Sequence, residues 1–127
     1  MLGYVIVTHV GIGREMLLAV EEILKEKLPM AVVEVDSTRP PSEAQDHITA
    51  AVAEFGDKDG VLILTDIFGA TPTNLCRDLL SRGKVAVVTG INLPMVLKAA
   101  TARFDQSASE AAEFLKNYGC ENIRTFP

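Results

Sequence analysis

The chain has 127 residues, of which 48% are hydrophobic and 23% charged, a composition typical of one folded domain and not of a disordered segment. Its net charge is −5 and it has no basic cluster, which excludes a typical nucleic-acid-binding surface, because phosphate neutralisation needs dense Lys and Arg. No apolar run reaches the length of a membrane span, and the short apolar start resembles a strand, not a signal peptide. We therefore expect one cytoplasmic domain over residues 1–127, which meets a membrane only through a partner.

The first half of the chain alternates strands with helices. In chain order, the apolar patterns predict a strand over Leu2 to Thr8, a helix over Arg14 to Leu28, a strand over Ala31 to Val35 and a helix from Ser42 to about Phe55. Pro29 ends the first helix. Ser42 and Gln45 form a capping box that is expected to open the second helix.

The second half continues the alternation and then adds two consecutive helices. The predicted elements are a strand over Val61 to Thr65, a helix near Thr73 to Ser81, a strand over Lys84 to Thr89, a helix over Leu93 to about Arg103, a helix from Ser107 to about Tyr118 and a last strand over Glu121 to Phe126. Thr71 before Pro72 suits a helix N-cap, and Ser107 with Glu110 forms a second capping box.

This alternation predicts an α/β fold, with a doubly wound, mostly parallel sheet and helices on both faces. The last strand is more polar and follows two helices, so we expect it at a sheet edge, antiparallel, or paired with another subunit. Ligands of such folds gather at the carboxyl ends of the strands. The segments that end or follow those strands are 8–14, 36–41, 66–73 and 89–94.

His9 follows the first strand directly and precedes Gly11 and Gly13. The glycines allow close backbone approach, and the start of the next helix offers free amides to an anion. An imidazole nucleophile beside an anion cradle suits a group that carries phosphate. A lone histidine at a strand end is more often a turn residue, and the Gly-x-Gly spacing is too short for a dinucleotide fingerprint.

Asp66 ends the third strand, which in a doubly wound sheet lies beside the first. Its carboxylate is therefore expected to hold one ring nitrogen of His9, which leaves the other nitrogen free to attack. Thr71, Thr73 and Asn74 follow as candidate donors to phosphate oxygens, although each is equally suited to capping the next helix.

The remaining polar residues favour structural roles. Asn92 is expected to cap a helix and His47 to lie on the surface, while Arg14, Arg39 and Arg103 are weaker candidates for steering phosphate or an acidic partner. Cys76 and Cys120 show no metal spacing and are expected to be reduced structural thiols. We predict no metal and no cofactor.

Three segments carry a resemblance to a known family. They are Thr8-His9 with the glycine loop and Leu17-Leu18, the long run from Gly60 to Asn74 (GVLILTDIFGATPTN), and Val88 to Met95 (VTGINLPM). Together they resemble the enzyme IIA domain of the mannose-type branch of the bacterial phosphoenolpyruvate-dependent sugar phosphotransferase system. The resemblance covers nearly the whole chain in the right order and spacing.

The resemblance implies specific roles. His9 would be phosphorylated by the histidine phosphocarrier protein and would pass the phosphoryl group to an enzyme IIB, with Asp66 supporting the histidine and Thr71 matching a Ser/Thr near the phosphoryl site. It also implies a homodimer that exchanges the last strand. The chain ends at Pro127 without an enzyme IIB segment, so a separate IIB polypeptide or a regulatory role is expected. Val10 stands where some members have Gly or Asn, and Ala70 replaces a Gly that is often found at its position.

Two alternatives remain open. The first is the phosphocarrier subunit of a dihydroxyacetone kinase, against which the third motif, Asn92-Leu93-Pro94, argues. The second is a flavodoxin-like regulatory or ligand-binding module that never accepts phosphate. The pairing of Asp66 with His9 argues against that module, since simple binding has no need of the pair.

Overall fold

The computed structural model describes residues 1–67, 70–80 and 84–127, except for the side chain of Asp78. The strands in these ranges are β1 (Leu2–His9), β2 (Met30–Val35), β3 (Gly60–Thr65) and β4 (Val85–Val88). The helices in these ranges are α1 (Ile12–Leu24), α2 (Pro41–Ala53), α3 (Thr71–Leu75), α4 (Arg77–Leu80), α5 (Leu93–Thr101) and α6 (Ala108–Glu121). The predicted helix end at Ser81 and the Phe68-Gly69 part of the third-strand loop lie outside the described residues.

The four strands form one parallel sheet in the order β2-β1-β3-β4. In its register, Val5 of β1 stands between Ala31 of β2 and Ile63 of β3. This arrangement confirms the predicted α/β fold and places β1 beside β3. The chain reverses its winding direction between these two strands, which is where parallel sheets open a crevice for ligands.

Apolar side chains on both sheet faces explain why helices cover both. Alternate residues of β1 point in opposite directions, so Ile6 joins the core under α1, α5 and α6, while Val5 and Val7 join the core under α2, α3 and α4. All six residues of β3 are buried, as expected for a central parallel strand. Helices therefore cover both faces of the sheet, and the carboxyl ends of the strands form its open edge.

Two predicted helix starts are wrong by a few residues. Pro40 and not Ser42 is the N-cap of α2, and no side chain caps that helix. Pro41 has its φ angle set for the first helical turn and needs no amide partner there, so the helix begins before the predicted capping box. Likewise Ala70 and not Thr71 is the N-cap of α3.

The other two predicted caps are confirmed. The Asn92 side chain accepts a hydrogen bond from Met95 N at 3.0 Å, and its amide group donates to Gly119 O at 3.1 Å. It thereby ties the β4–α5 turn to the end of α6. Ser107 and Glu110 form the complete capping box of α6.

The last predicted strand is not formed within the single chain. Glu121 is the last residue of α6, and residues 123–127 have no regular secondary structure. Asn122 N and Ile123 N donate to Tyr118 O and Cys120 O, so the helical bonding pattern extends past the predicted strand start. A strand forms only beside another strand, and none pairs with this segment among the described residues. Exchange of the C-terminal segment with a second subunit stays a prediction.

The two thiols differ in environment. Cys76 is buried, its Sγ donates to Pro72 O at 3.2 Å, and burial raises its pKa to about 12. It is the packing residue that the sequence indicates. Cys120 is exposed, and both cysteines are free.

Candidate functional site

His9 and Asp66 meet at the carboxyl edge of the sheet, where β1 and β3 end side by side. Asp66 Oδ2 lies 2.8 Å from His9 Nδ1 and accepts a second hydrogen bond from the His9 backbone amide at 3.0 Å. Its other oxygen, Oδ1, accepts from Ile67 N at 2.9 Å. The carboxylate is thus fixed at both oxygens, and it fixes the ring and the backbone of His9 together.

The burial of the pair is unequal. The Asp66 side chain is 10% exposed and the His9 side chain 37% exposed. Burial acts to raise the pKa of Asp66, but the hydrogen bonds from the His9 backbone and ring, with the charge interaction, outweigh it and hold the pKa below its usual value. An ionised Asp66 favours the tautomer with the proton on Nδ1, which leaves Nε2 of the exposed ring as an unprotonated nucleophile.

Thr8 connects the strand that ends at His9 with the helix that follows. Its buried hydroxyl oxygen accepts a hydrogen bond from Gly13 N at 2.7 Å, which satisfies one of the first amides of α1. The Gly13 amide is therefore already hydrogen-bonded within the protein and is not available to a phosphate. Gly11 is the N-cap of α1, and no acceptor for its amide lies among the described residues.

Gly13 also has a steric role that leads to a prediction. A Cβ atom there would lie 2.7 Å from Ile6 Cγ2 and 3.0 Å from Thr8 Oγ1, both in the buried layer. We expect Gly13→Ala to lower the free energy of unfolding by about 1–2 kcal/mol, since overpacking exceeds the gain of about 1 kcal/mol in helix propensity. Urea denaturation measures the difference.

Gly11→Ala is the matched control for this change. At Gly11 the added Cβ would meet only the flexible end of Arg14, at 3.4 Å, and the φ angle of −86° suits alanine. Its unfolding free energy should stay within about 0.5 kcal/mol of the unmodified protein. Equal urea-denaturation midpoints for Gly13→Ala and Gly11→Ala would show that α1 can move away from the sheet without loss of stability.

Thr73 is buried, and its hydroxyl is engaged within the protein. It donates to Ile67 O at 2.8 Å and lies 3.0 Å from the Thr65 hydroxyl. These bonds fix the backbone that follows Asp66, so Thr73 acts on the site by positioning and is not placed to donate to a bound phosphate. The sequence pattern had suggested direct phosphate binding.

Thr71 and Asn74 are both exposed. Thr71 borders a cavity of about 270 Å³ over the end of β2, which also contains Asp36 and His47. Asn74 Oδ1 accepts from Arg77 Nε at 3.2 Å. The structure therefore joins Asp66 to His9 by hydrogen bonds and places Thr71 at the cavity over the end of β2, and phosphate binding by Thr71 and Asn74 stays a prediction.

The candidate arginines are engaged in ion pairs or lie on the surface. Arg39 makes a two-pronged contact with Glu43, through Nε at 3.0 Å and Nη2 at 2.9 Å. Arg14 Nε lies 3.3 Å from Glu34 Oε1. Arg103 is exposed, as is His47, which confirms the predicted surface position of that histidine.

Val10, beside His9, has a conformation that sequence reasoning missed. Its φ angle is +39°, in the left-handed region that β-branched residues rarely adopt. Its amide donates to Val35 O at 3.1 Å, which holds the turn after β1 against β2. The one available signal was the family resemblance, since some members have Gly or Asn at this position.

The arrangement suits nucleophilic acceptance of a small anionic group. The His9 side chain is 37% exposed, its Nδ1 is bound to a carboxylate, and α1 begins three residues later. Among residues 1–67, 70–80 and 84–127, no three His, Cys, Asp or Glu side chains converge as a metal-binding set. Within the same ranges, no helix is long and apolar enough to cross a bilayer.

Comparison with known proteins places this geometry in context. The family model EIIA-man, described as "PTS system fructose IIA component", matches residues 3–116. The chain is 33% identical over 99 residues to the PTS system sorbose-specific EIIA component of Lacticaseibacillus casei, with 72% of each chain covered. It is 25% identical over 125 residues to the PTS system mannose-specific EIIAB component of Escherichia coli K12, which covers 97% of this chain and 39% of that longer relative.

A solved structure shows the same architecture. The mannose/sorbose specific IIA subunit of the phosphotransferase system from Enterococcus faecalis superposes with a TM-score of 0.89 at 25% identity. The superposition covers 98% of this chain and 94% of that one.

Proposed function

The chain belongs to the EIIA-man family of phosphotransferase-system components, and on this premise we propose that it is a phosphohistidine carrier. In this proposal His9 accepts a phosphoryl group from the histidine phosphocarrier protein and passes it to an enzyme IIB. The observation that carries the proposal is the 2.8 Å contact between Asp66 Oδ2 and His9 Nδ1, in a side chain that is 37% exposed.

The chemistry follows from that contact. Nε2 of the neutral ring attacks phosphorus in line, the N–P bond of the donor phosphohistidine breaks, and its electron pair returns to the donor ring. The proton on Nδ1 of His9 stays in place, so the phosphorylated ring is cationic and Asp66 balances that charge. An acceptor nucleophile then attacks the same phosphorus, the P–N bond to His9 breaks, and its electron pair returns to Nε2.

The proposed setting is sugar uptake or a regulatory branch of it, in the cytoplasm. The Escherichia coli relative is named as an EIIAB component, and the aligned region covers 39% of it. We propose that this chain delivers its phosphoryl group to an enzyme IIB. Contact with a membrane would occur only through a permease complex.

The decisive experiment is phosphorylation in a reconstituted system. The purified protein is incubated with phosphoenolpyruvate, enzyme I and the histidine phosphocarrier protein, and intact-mass spectrometry follows the reaction. We expect a gain of one phosphoryl group that acid removes, since the P–N bond is acid-labile. No gain, with the carrier active on another acceptor, would favour a binding module on the same fold.

We also propose a homodimer in which the C-terminal segment pairs with the partner's sheet. In the described residues β4 pairs on one side only, with β3, and the Ile123 and Phe126 side chains are 74% and 98% exposed. An unpaired strand edge and an exposed apolar tail suit each other. Light scattering on the full chain should give twice the monomer mass, and Phe126→Asp should shift it toward monomer; a monomeric full chain would reject this arrangement.

A further inference from the structure

A cavity of about 120 Å³ lies at the amino end of the sheet, the end opposite His9. Residues from the starts of β1 and β2 and from the end of α5 line it, and we call it the amino-end cavity. Tyr4, in its lining, pairs with Met30 and precedes His9 by five residues on β1, which places the two about 17 Å apart along the strand. The proposed phosphoryl transfer makes no use of this cavity.

Aromatic side chains are concentrated in the amino-end cavity. The chain has five Phe and two Tyr, and three of these residues line it, namely Tyr4, Phe55 and Phe104. Phe55 lies directly over Gly3, where a Cβ atom would be 2.3 Å from the Phe55 Cγ, so this strand position has to be glycine. Phe104 makes an edge-to-face contact with Phe114, with 5.5 Å between the ring centroids. The fold therefore holds two of the three rings in place.

The end of α5 determines how much room the cavity has. This helix contributes Ala99 and Ala100 to the lining, and its C-cap residue, Ala102, adds a third small side chain. Larger residues there would occupy the space between the rings. An apolar cavity of about 150 Å³ in a protein interior holds a benzene-sized molecule. The amino-end cavity therefore suits a ligand with one ring and not a larger one.

The polar groups of the cavity indicate the charge of the ligand. Arg103 and Lys58 line it and are both exposed, and no Asp or Glu is among its described lining residues. Within the described parts of the chain, Arg103 has no ion pair and the Tyr4 hydroxyl makes no hydrogen bond. Burial raises the pKa of Tyr4 to about 12, so this hydroxyl remains a donor at neutral pH. Cations and a free donor around an apolar space favour a carboxylate.

We propose that the amino-end cavity binds a small monocarboxylate with a single ring, which packs against Tyr4, Phe55 and Phe104 while its carboxylate meets Arg103. An inorganic anion would leave the aromatic walls without a contact, and a neutral ring would leave the arginine without a partner. This inference does not depend on the proposed phosphocarrier function.

The first test titrates phenylacetate into the full chain and follows the amide signals by nuclear magnetic resonance. We expect saturable shifts at Tyr4 and Phe104 and none at His9, with a dissociation constant of about 1 mM or lower for a ligand of this size. Phenylacetamide has the same shape without the charge and should bind about tenfold more weakly. Equal binding of the two, or no saturable shift with phenylacetate, would overturn the proposal.

Three variants locate the ligand. Ala100→Leu should abolish binding because it fills the cavity, and Arg103→Gln should weaken binding about tenfold, since the exposed arginine is removed without a change in the core. Arg39→Gln is the matched control, because Arg39 lines the cavity over the end of β2. Its affinity for phenylacetate should equal that of the unmodified protein.

The same spectra show whether each variant is folded, and Arg103→Gln tests the proposal even where Ala100→Leu fails to fold. Loss of affinity in Arg39→Gln with normal affinity in Arg103→Gln would place the ligand in the other cavity and overturn the proposal. Binding is measured without phosphoryl transfer, so a protein that accepts no phosphate could still bind phenylacetate, and a carrier that binds none would reject this inference alone.

Discussion

Replacing His9 with alanine is expected to abolish phosphorylation, with a loss of more than about 10³-fold in labelling rate, because no other group replaces the nucleophile. The fold should remain. Asp66 keeps its hydrogen bonds from the His9 backbone amide and from Ile67 N, and the removed ring is partly exposed. Intact-mass spectrometry after incubation with the reconstituted donor system measures the labelling.

His47→Ala is the matched control, since His47 is the second of the two histidines in the chain and lies exposed on α2. It should label as the unmodified protein does. Circular dichroism on both variants separates loss of the nucleophile from loss of structure. Labelling of the His9 variant at the normal rate would place the phosphoryl group elsewhere and remove the basis of the proposed function.

The second large effect is expected for Asp66→Asn, which should slow phosphorylation by about 10² to 10⁴-fold. All three groups that Asp66 binds are arranged as N–H donors, namely His9 N, His9 Nδ1 and Ile67 N. An amide has only one oxygen, so its NH₂ group must face either Ile67 N–H or His9. In the second orientation His9 Nδ1 has to accept a hydrogen bond from the amide, so the ring hydrogen moves to Nε2, which then has no free lone pair for attack.

Asp36→Asn is the control for this substitution. Asp36 also follows a strand and accepts two hydrogen bonds from Thr38, at 2.9 Å and 2.7 Å, but it does not contact His9. Single-turnover labelling should show a normal rate for Asp36→Asn and a low rate for Asp66→Asn. Equal rates for both variants would mean that the ring of His9 needs no orienting carboxylate.

The Asp66 carboxylate also implies a pH dependence of stability. Its pKa is lowered from 3.8 in the folded protein, so its contribution to the unfolding free energy is present above that value and is lost as the pH falls through the folded pKa. Asp66→Asn should lack this part of the acid destabilisation. The carboxylate remains charged at neutral pH, where the carrier would work.

The sequence was sufficient for the part of the site that depends on topology. Alternating strands and helices predict a parallel sheet, and the carboxyl ends of β1 and β3 then bring His9 and Asp66 together. The helix start at Pro41 was missed because two signals competed. A capping box at Ser42 and a proline pair at residues 40 and 41 both mark helix starts, and in the structure the helix begins at the second proline.

The failures in the site concern burial and backbone angles, which residue type alone does not determine. A threonine in a phosphate loop and a threonine that braces the loop look alike in sequence, and Thr73 is the second kind because its hydroxyl is buried against Thr65. Gly13 was expected to offer its amide to an anion, but the Thr8 hydroxyl already occupies it. The positive φ of Val10 opposes the preference of valine itself, so no local pattern predicts it.

The bond between the His9 amide and Asp66 has a consequence for how the protein opens. The two residues are 57 positions apart, and His9 is the last residue of a strand with neighbours on both sides. The strands that carry the two residues are paired as far as Val7 and Thr65, so this bond extends the contact between β1 and β3 beyond the last paired residues. Amide hydrogen exchange at His9 should therefore be slow for as long as the Asp66 carboxylate stays in place. The same carboxylate thus both orients the ring and closes the end of the strand pair.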